Sequence, residues 1–94
     1  MKDFILEVLT PDKTLFWGRA TALTAHAIDG EVQVLPGHAP YINILAAGEI
    51  RLHNEDNVCL HFKHNGGILE VARKKTSVLV QACSEEEIKA NLNT

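Results

Sequence analysis

Cys59 and His61 stand two residues apart. On an extended strand, side chains i and i+2 point to the same side. A thiol beside an imidazole is the start of a cysteine nucleophile. Their backbone positions lie roughly 7 Å apart along the strand, so the pair reads more simply as a small half-buried cysteine beside a surface histidine. Five histidines raise the question of a metal, and His53, His61 and His64 fall on or beside one hairpin. A zinc site needs three or four ligands in tetrahedral reach. Side chains placed diagonally on adjacent strands read instead as a solvated polar face. Gly66-Gly67 lacks the lysine and hydroxyl residue of a phosphate loop, and reads as a tight turn or bulge. Glu85, Glu86 and Glu87 are consecutive, so they fan around a helix start and set up no acid–base pair.

Pro36-Gly37-His38-Ala39-Pro40 rises above this background. Two prolines remove two backbone donors and the glycine relaxes the sterics, so the segment cannot be regular structure. It reads as a rigid loop presented to a partner, as a sharp corner between sheets, or as both.

The elements that position these residues belong to a single small domain. The chain has 94 residues, 46% hydrophobic and 22% charged, which excludes disordered, collagen-like and coiled-coil classes. Its net charge is −3 and its nine basic residues are scattered, with Arg73-Lys74-Lys75 the only run. A nucleic-acid binder would carry a basic face, and this composition offers none. No apolar run approaches the roughly 20 residues that span a bilayer. The start, Met1-Lys2-Asp3-Phe4, is too acidic and its apolar stretch too short for a signal peptide. The expectation is a protein of the cytoplasm, or one held by partners, with Cys59 and Cys83 reduced.

Strand signals follow one another along the chain. Phe4, Leu6 and Val8 alternate with Ile5, Glu7 and Leu9, apolar on most of both faces. Thr10 to Lys13 turns the chain, Leu15-Phe16-Trp17 starts a second strand, and Gly18 suggests a bulge or a close backbone contact. Arg19 to Ala27 reads as strand, Ile28 to Glu31 as a turn, and Val32–Leu35 and Tyr41–Leu45 as strands. Ile50 and Leu52 face inward on one arm of the next hairpin, and Val58, Leu60 and Phe62 on the other. Directly opposed residues share a face, so Leu52 can meet Val58 or Leu60 but not Cys59. The loop must then hold an odd number of residues, which selects Glu55-Asp56-Asn57, with Asn57 able to take the left-handed conformation, and sets Arg51 opposite His61. Ile68–Ala72 and Thr76–Gln81 complete about eight short strands, an all-β sandwich or barrel. Ser84-Glu85-Glu86-Glu87 is a capping box. It predicts a short helical stub or frayed tail over 84–94, after a sandwich domain over 1–83.

Three collinear motifs resemble the epsilon subunit of F-type ATP synthases. They are Asp29-Gly30-Glu31-Val32-Gln33-Val34-Leu35-Pro36-Gly37-His38-Ala39-Pro40, then Gly66-Gly67-Ile68-Leu69-Glu70-Val71 followed by Thr76 to Val80, and the opening Leu6-Glu7-Val8-Leu9-Thr10-Pro11-Asp12-Lys13 with Phe16 and Gly18. The match runs from about Phe4 to Cys83, with Gln33 where the family usually carries glycine. The resemblance implies a flattened sandwich of short antiparallel strands. It implies a non-catalytic rotor subunit that grips gamma and sits on the c ring of a proton- or sodium-translocating synthase. Its place would be peripheral, at the cytoplasmic side of the inner membrane. Glu31 and His38 match the residues expected to face the c ring, and Ala39, Pro40 and Tyr41 those expected toward gamma. The family's C-terminal helical hairpin, with its inhibitory role and nucleotide site, is expected to be absent, so no cofactor is expected. A stand-alone sandwich adaptor is the rival of a different class, and an enzyme built on Cys59 and His61 is the third reading.

Overall fold

Residues alternating between core and surface with a period of two build the architecture. The computed structural model describes residues 3–56 and 58–81 in full, and the backbone of 84–91. In chain order the strands are β1 (Phe4–Leu9), β2 (Thr14–Ala20), β3 (Ala22–Ala27), β4 (Gly30–Val34), β5 (Tyr41–Leu45), β6 (Gly48–His53), β7 (Val58–His64), β8 (Gly67–Val71), β9 (Thr76–Val80) and β10 (Ser84–Asn91). One layer is β4-β3-β6-β7-β10 and the other is β5-β8-β9-β1-β2. A single pairing, Ala27 with Leu45, joins β3 to β5 where the sheet folds over on itself.

The core lies between the layers. Leu6, Val8, Leu69, Val78 and Val80 from one meet Leu23, Ile50, Leu52 and Phe62 from the other, all buried. Each such side chain removed from water is worth roughly 1.5–3 kcal/mol, and these alternate positions fix the register of every strand they sit on.

The β6–β7 hairpin has the expected register, with Leu52 opposite Leu60 and Arg51 opposite His61. Asn54 shapes its loop: Oδ1 accepts the amides of Asp56 at 2.9 Å and Val58 at 3.2 Å. Asn57 and Cys83 lie outside the described residues.

Four features differ from expectation. Gly18 makes no bulge; it sits in register opposite Leu6, and the register shift falls between Val8 and Leu9. The long Thr14–Ala27 stretch splits at Thr21 into two strands. The pair β1–β9 is parallel, while the other pairings are antiparallel. Ser84–Asn91 is strand β10, not a helical stub. A helix of that length is marginal without packing, whereas the free edge of β7 offers a ladder that pairs Ile88 with His61 and Ala90 with Cys59.

Candidate functional site

Three places on this scaffold gather functional groups. The first is the outer face of β6 and β7. Cys59 Sγ lies 3.1 Å from His61 Nε2, and His61 Nδ1 lies 3.3 Å from Glu49 Oε2. The Glu49 carboxylate accepts the Nδ1 proton, which leaves Nε2 to accept the thiol proton. The side chains therefore close the gap that the backbone spacing leaves open, in the order thiol, imidazole, carboxylate. Activation does not follow. Cys59 is only 4% exposed, and burial pushes its thiol above the ordinary range, with the Arg51 charge opposing and Glu49 adding to the rise. A thiol held protonated is a poor nucleophile, so this chain satisfies buried polar atoms.

His64 belongs to the opposite face of β7. It is buried beside Phe62 and Gly48's strand, while His61 faces outward, so the two do not converge. Its Nδ1 accepts the Gly66 amide at 3.0 Å, and Nε2 has no partner. Burial is the main force that lowers its basicity; the Gly66 bond acts the other way and His26 adds to the lowering. Among the described residues no group of three or more His, Cys, Asp and Glu is placed to hold a metal ion, and no helix is long and apolar enough to cross a membrane.

The second place is the exposed margin along β4, which hydrogen-bonds to β3 alone. Glu31 lies on it opposite His26, with its carboxylate 3.8 Å from Arg51 Nη2 and both side chains well exposed. Such a contact is worth about 0–1 kcal/mol. β4 and β5 both run antiparallel to β3, so residues 35–40 must carry the chain back to start β5 in the same direction. Pro36 and Gly37 begin that return as a type II turn: the His38 amide donates to the Leu35 carbonyl at 3.1 Å and Gly37 has φ +85°. His38 Nδ1–H then donates to the Ala39 carbonyl at 2.6 Å, and its ring meets Tyr41 edge-on at 5.8 Å. Asn43 donates to Tyr41 Oη at 2.7 Å and to Asp29 Oδ1 at 2.9 Å. His38, Tyr41, Asn43 and Asp29 thus tie the loop to the turn that leads into β4 and Glu31. Ala39 and Pro40 are exposed between them.

The third place is one that motif reading passes over. On the outer face of β5, β8 and β9, Ile44 pairs with Ile68, Ile68 with Leu79, and Leu79 with Leu9 on β1. Ile42 is 69% exposed, Ile44 55%, Ile68 48% and Leu79 41%. The signal is present in the sequence as strands apolar at both parities. Gly67 holds the row together: a Cβ there would lie 2.1 Å from the Leu79 carbonyl oxygen and 2.9 Å from Val80 Cα, so only glycine lets β8 and β9 approach.

Residues 3–86 match the family described as the ATP synthase delta/epsilon chain, beta-sandwich domain. An ATP synthase epsilon chain of Chlorobium limicola is 36% identical over 83 residues, covering 88% of this chain and 94% of that one. The epsilon chain of Granulibacter bethesdensis is 37% identical over 91 residues, covering 96% of this chain and 67% of that longer one. Among solved structures, a chain of the Euglena gracilis mitochondrial ATP synthase (OSCP/F1/c-ring) superposes with a TM-score of 0.80 at 21% identity, covering 95% of this chain and 54% of that one. One from the central stalk/c-ring of the Tetrahymena thermophila mitochondrial ATP synthase gives 0.73 at 18%, covering 89% and 66%. These two likenesses concern the fold.

Proposed function

Since this chain belongs to the delta/epsilon-chain β-sandwich family of ATP synthases, we propose that it is a non-catalytic central-stalk rotor subunit coupling gamma to the c ring. The observation that carries this reading is the apolar row of Ile42, Ile44, Ile68 and Leu79, open to solvent on a small domain. A contiguous apolar patch of this kind marks a protein interface. Gamma is its partner in this reading, and burial of apolar area at roughly 25 cal/mol per Å² drives the contact, less the cost of association.

Ala39, Pro40 and Tyr41 extend the gamma contact from the return loop. Glu31 and His38 face the polar loops of the c ring, where the exposed Glu31 carboxylate sets register against a cationic loop more than it adds affinity. The burial of Cys59, which pushes its thiol toward the protonated form, is in keeping with a role without chemistry of its own. The subunit sits peripherally on the synthase at the cytoplasmic side of the membrane, carries either proton- or sodium-driven rotation, and binds no nucleotide through the sandwich.

The test is size-exclusion chromatography of this chain with the gamma subunit of its own organism. A stable one-to-one complex is expected. Separate peaks from two folded proteins would refute the assignment.

A further inference from the structure

The one basic run of the sequence forms the β8–β9 turn, closed by the Ala72 amide donating to the Lys75 carbonyl at 3.0 Å. Across from it stands the Leu35–His38 turn, and between them lies a cleft of about 220 Å³. Its walls are unlike. The floor is apolar, from Phe4, Ile5, Val34 and Val71, and the rim is cationic. Two of the rim charges are already neutralised: Arg19 pairs with Asp3 at 2.9 Å and Lys75 with Glu7 at 2.9 Å. Arg73 and Lys74 are exposed and make no ion pair among the described residues. On a chain of net charge −3, two uncompensated cations over an apolar hollow are a local exception.

The chemistry of the walls selects the ligand. Arg73 offers a planar fork that matches two phosphate oxygens, and Lys74 a mobile point charge. A free inorganic anion would satisfy the rim but leave the floor in contact with water. A purely apolar ligand would cover the floor and strip water from the cations without compensation. A phosphate joined to hydrocarbon satisfies both. We propose that this cleft binds the headgroup phosphate of an anionic phospholipid, with the floor taking the glycerol and first acyl carbons. The site goes beyond the rotor assignment and does not rest on it.

Amide NMR of the full chain tests this, with short-chain phosphatidylglycerol below its micelle concentration as probe. Short-chain phosphatidylcholine and inorganic phosphate are run beside it, and co-flotation with vesicles of either lipid gives a second readout. Saturable shifts at Gly37, His38 and Lys75 are expected with phosphatidylglycerol alone, together with flotation on phosphatidylglycerol vesicles. Arg73→Gln with Lys74→Gln should weaken binding about thirtyfold, from about 1 kcal/mol per basic residue. Lys63→Gln, on an exposed position of β7, should leave it unchanged. Equal shifts with inorganic phosphate would overturn the lipid assignment in favour of a rim-only anion site. Equal binding of phosphatidylcholine, shifts elsewhere, or an unaffected double variant would overturn the site itself. Co-elution with gamma is read separately, so failure here and failure of the rotor reading are distinguishable.

Discussion

On β6 and β7 the side chains turned away from the core include Glu49, Arg51, His53, Cys59, His61 and Lys63; Cys59, His61 and Glu49 form one hydrogen-bonded chain, and Arg51 reaches Glu31 in the same sheet. On β5, β8 and β9 the outward positions are Ile42, Ile44, Ile68 and Leu79, interrupted by Glu70 and Ser77. Both faces obey the same alternation and pack against the same core. The first is satisfied as it stands, its one thiol buried and engaged. The second is left with apolar surface that no part of the described chain covers. Interfaces are therefore better sought here by what a face leaves unfinished than by which reactive groups it gathers.

The most damaging test of this contrast is Gly67→Ala. A methyl group there collides with the backbone of β9, so the strands carrying Ile68 and Leu79 must part. Urea unfolding should show a loss of about 3 kcal/mol, the upper range for overpacking. A change below about 0.5 kcal/mol would show that the two strands are not held this closely. Next comes Ile44→Asp with Ile68→Asp. Both sites are exposed but directly opposed, so repulsion between the two carboxylates should cost folding about 1 kcal/mol, while affinity for gamma should fall by about 3 kcal/mol, roughly a hundredfold. His53→Asp on the other outer face should leave that affinity unchanged, and an equal loss from His53→Asp would erase the distinction between the faces.

Acid sharpens the comparison from inside the core. His64 is less basic folded than unfolded, because it is buried neutral. The unfolded chain therefore binds more protons, and stability rises with pH through that interval. Stability should be complete above the ordinary histidine value near 6.5 and decline as pH falls below it. His64→Gln should flatten this decline in a pH series of urea midpoints; an unchanged slope would assign it elsewhere. The smallest effect belongs to the polar face. Cys59→Ala removes one thiol–imidazole hydrogen bond and should cost about 1 kcal/mol. The native Cys59 should react slowly with iodoacetamide at neutral pH, and thiolate-like rates would contradict the buried, protonated thiol.

Much of the fold was legible because period-two alternation and turn residues are local signals. The β6–β7 register followed from parity, which left Val58 or Leu60 opposite Leu52, together with the turn residues Glu55-Asp56-Asn57, which chose Leu60. The irregular Pro36–Pro40 return was likewise written in its prolines. The tail was misread because a capping box is also local, while pairing of Ser84–Asn91 with β7 depends on an edge that only the assembled sheet supplies. The parallel β1–β9 pair was invisible for the same reason. At the candidate sites, the motifs single out Glu31 and His38, yet the Tyr41–Asn43–Asp29 link between their segments needed coordinates. The apolar row escaped because Ile42, Ile68 and Leu79 each look like core residues until the opposite parity is seen to be fuller.

The parallel pairing also bears on how the chain reaches this state. β1 is made well before β9, yet it lies between β2 and β9, with Leu6 beside Thr76. Closing so long a loop costs entropy that no local contact repays in advance, and non-local pairing slows folding. The β1–β2 hairpin must wait with one edge unpaired until β9 leaves the ribosome. Folding of this layer therefore waits on β9, and the edge of β1 stays open until that strand has been made.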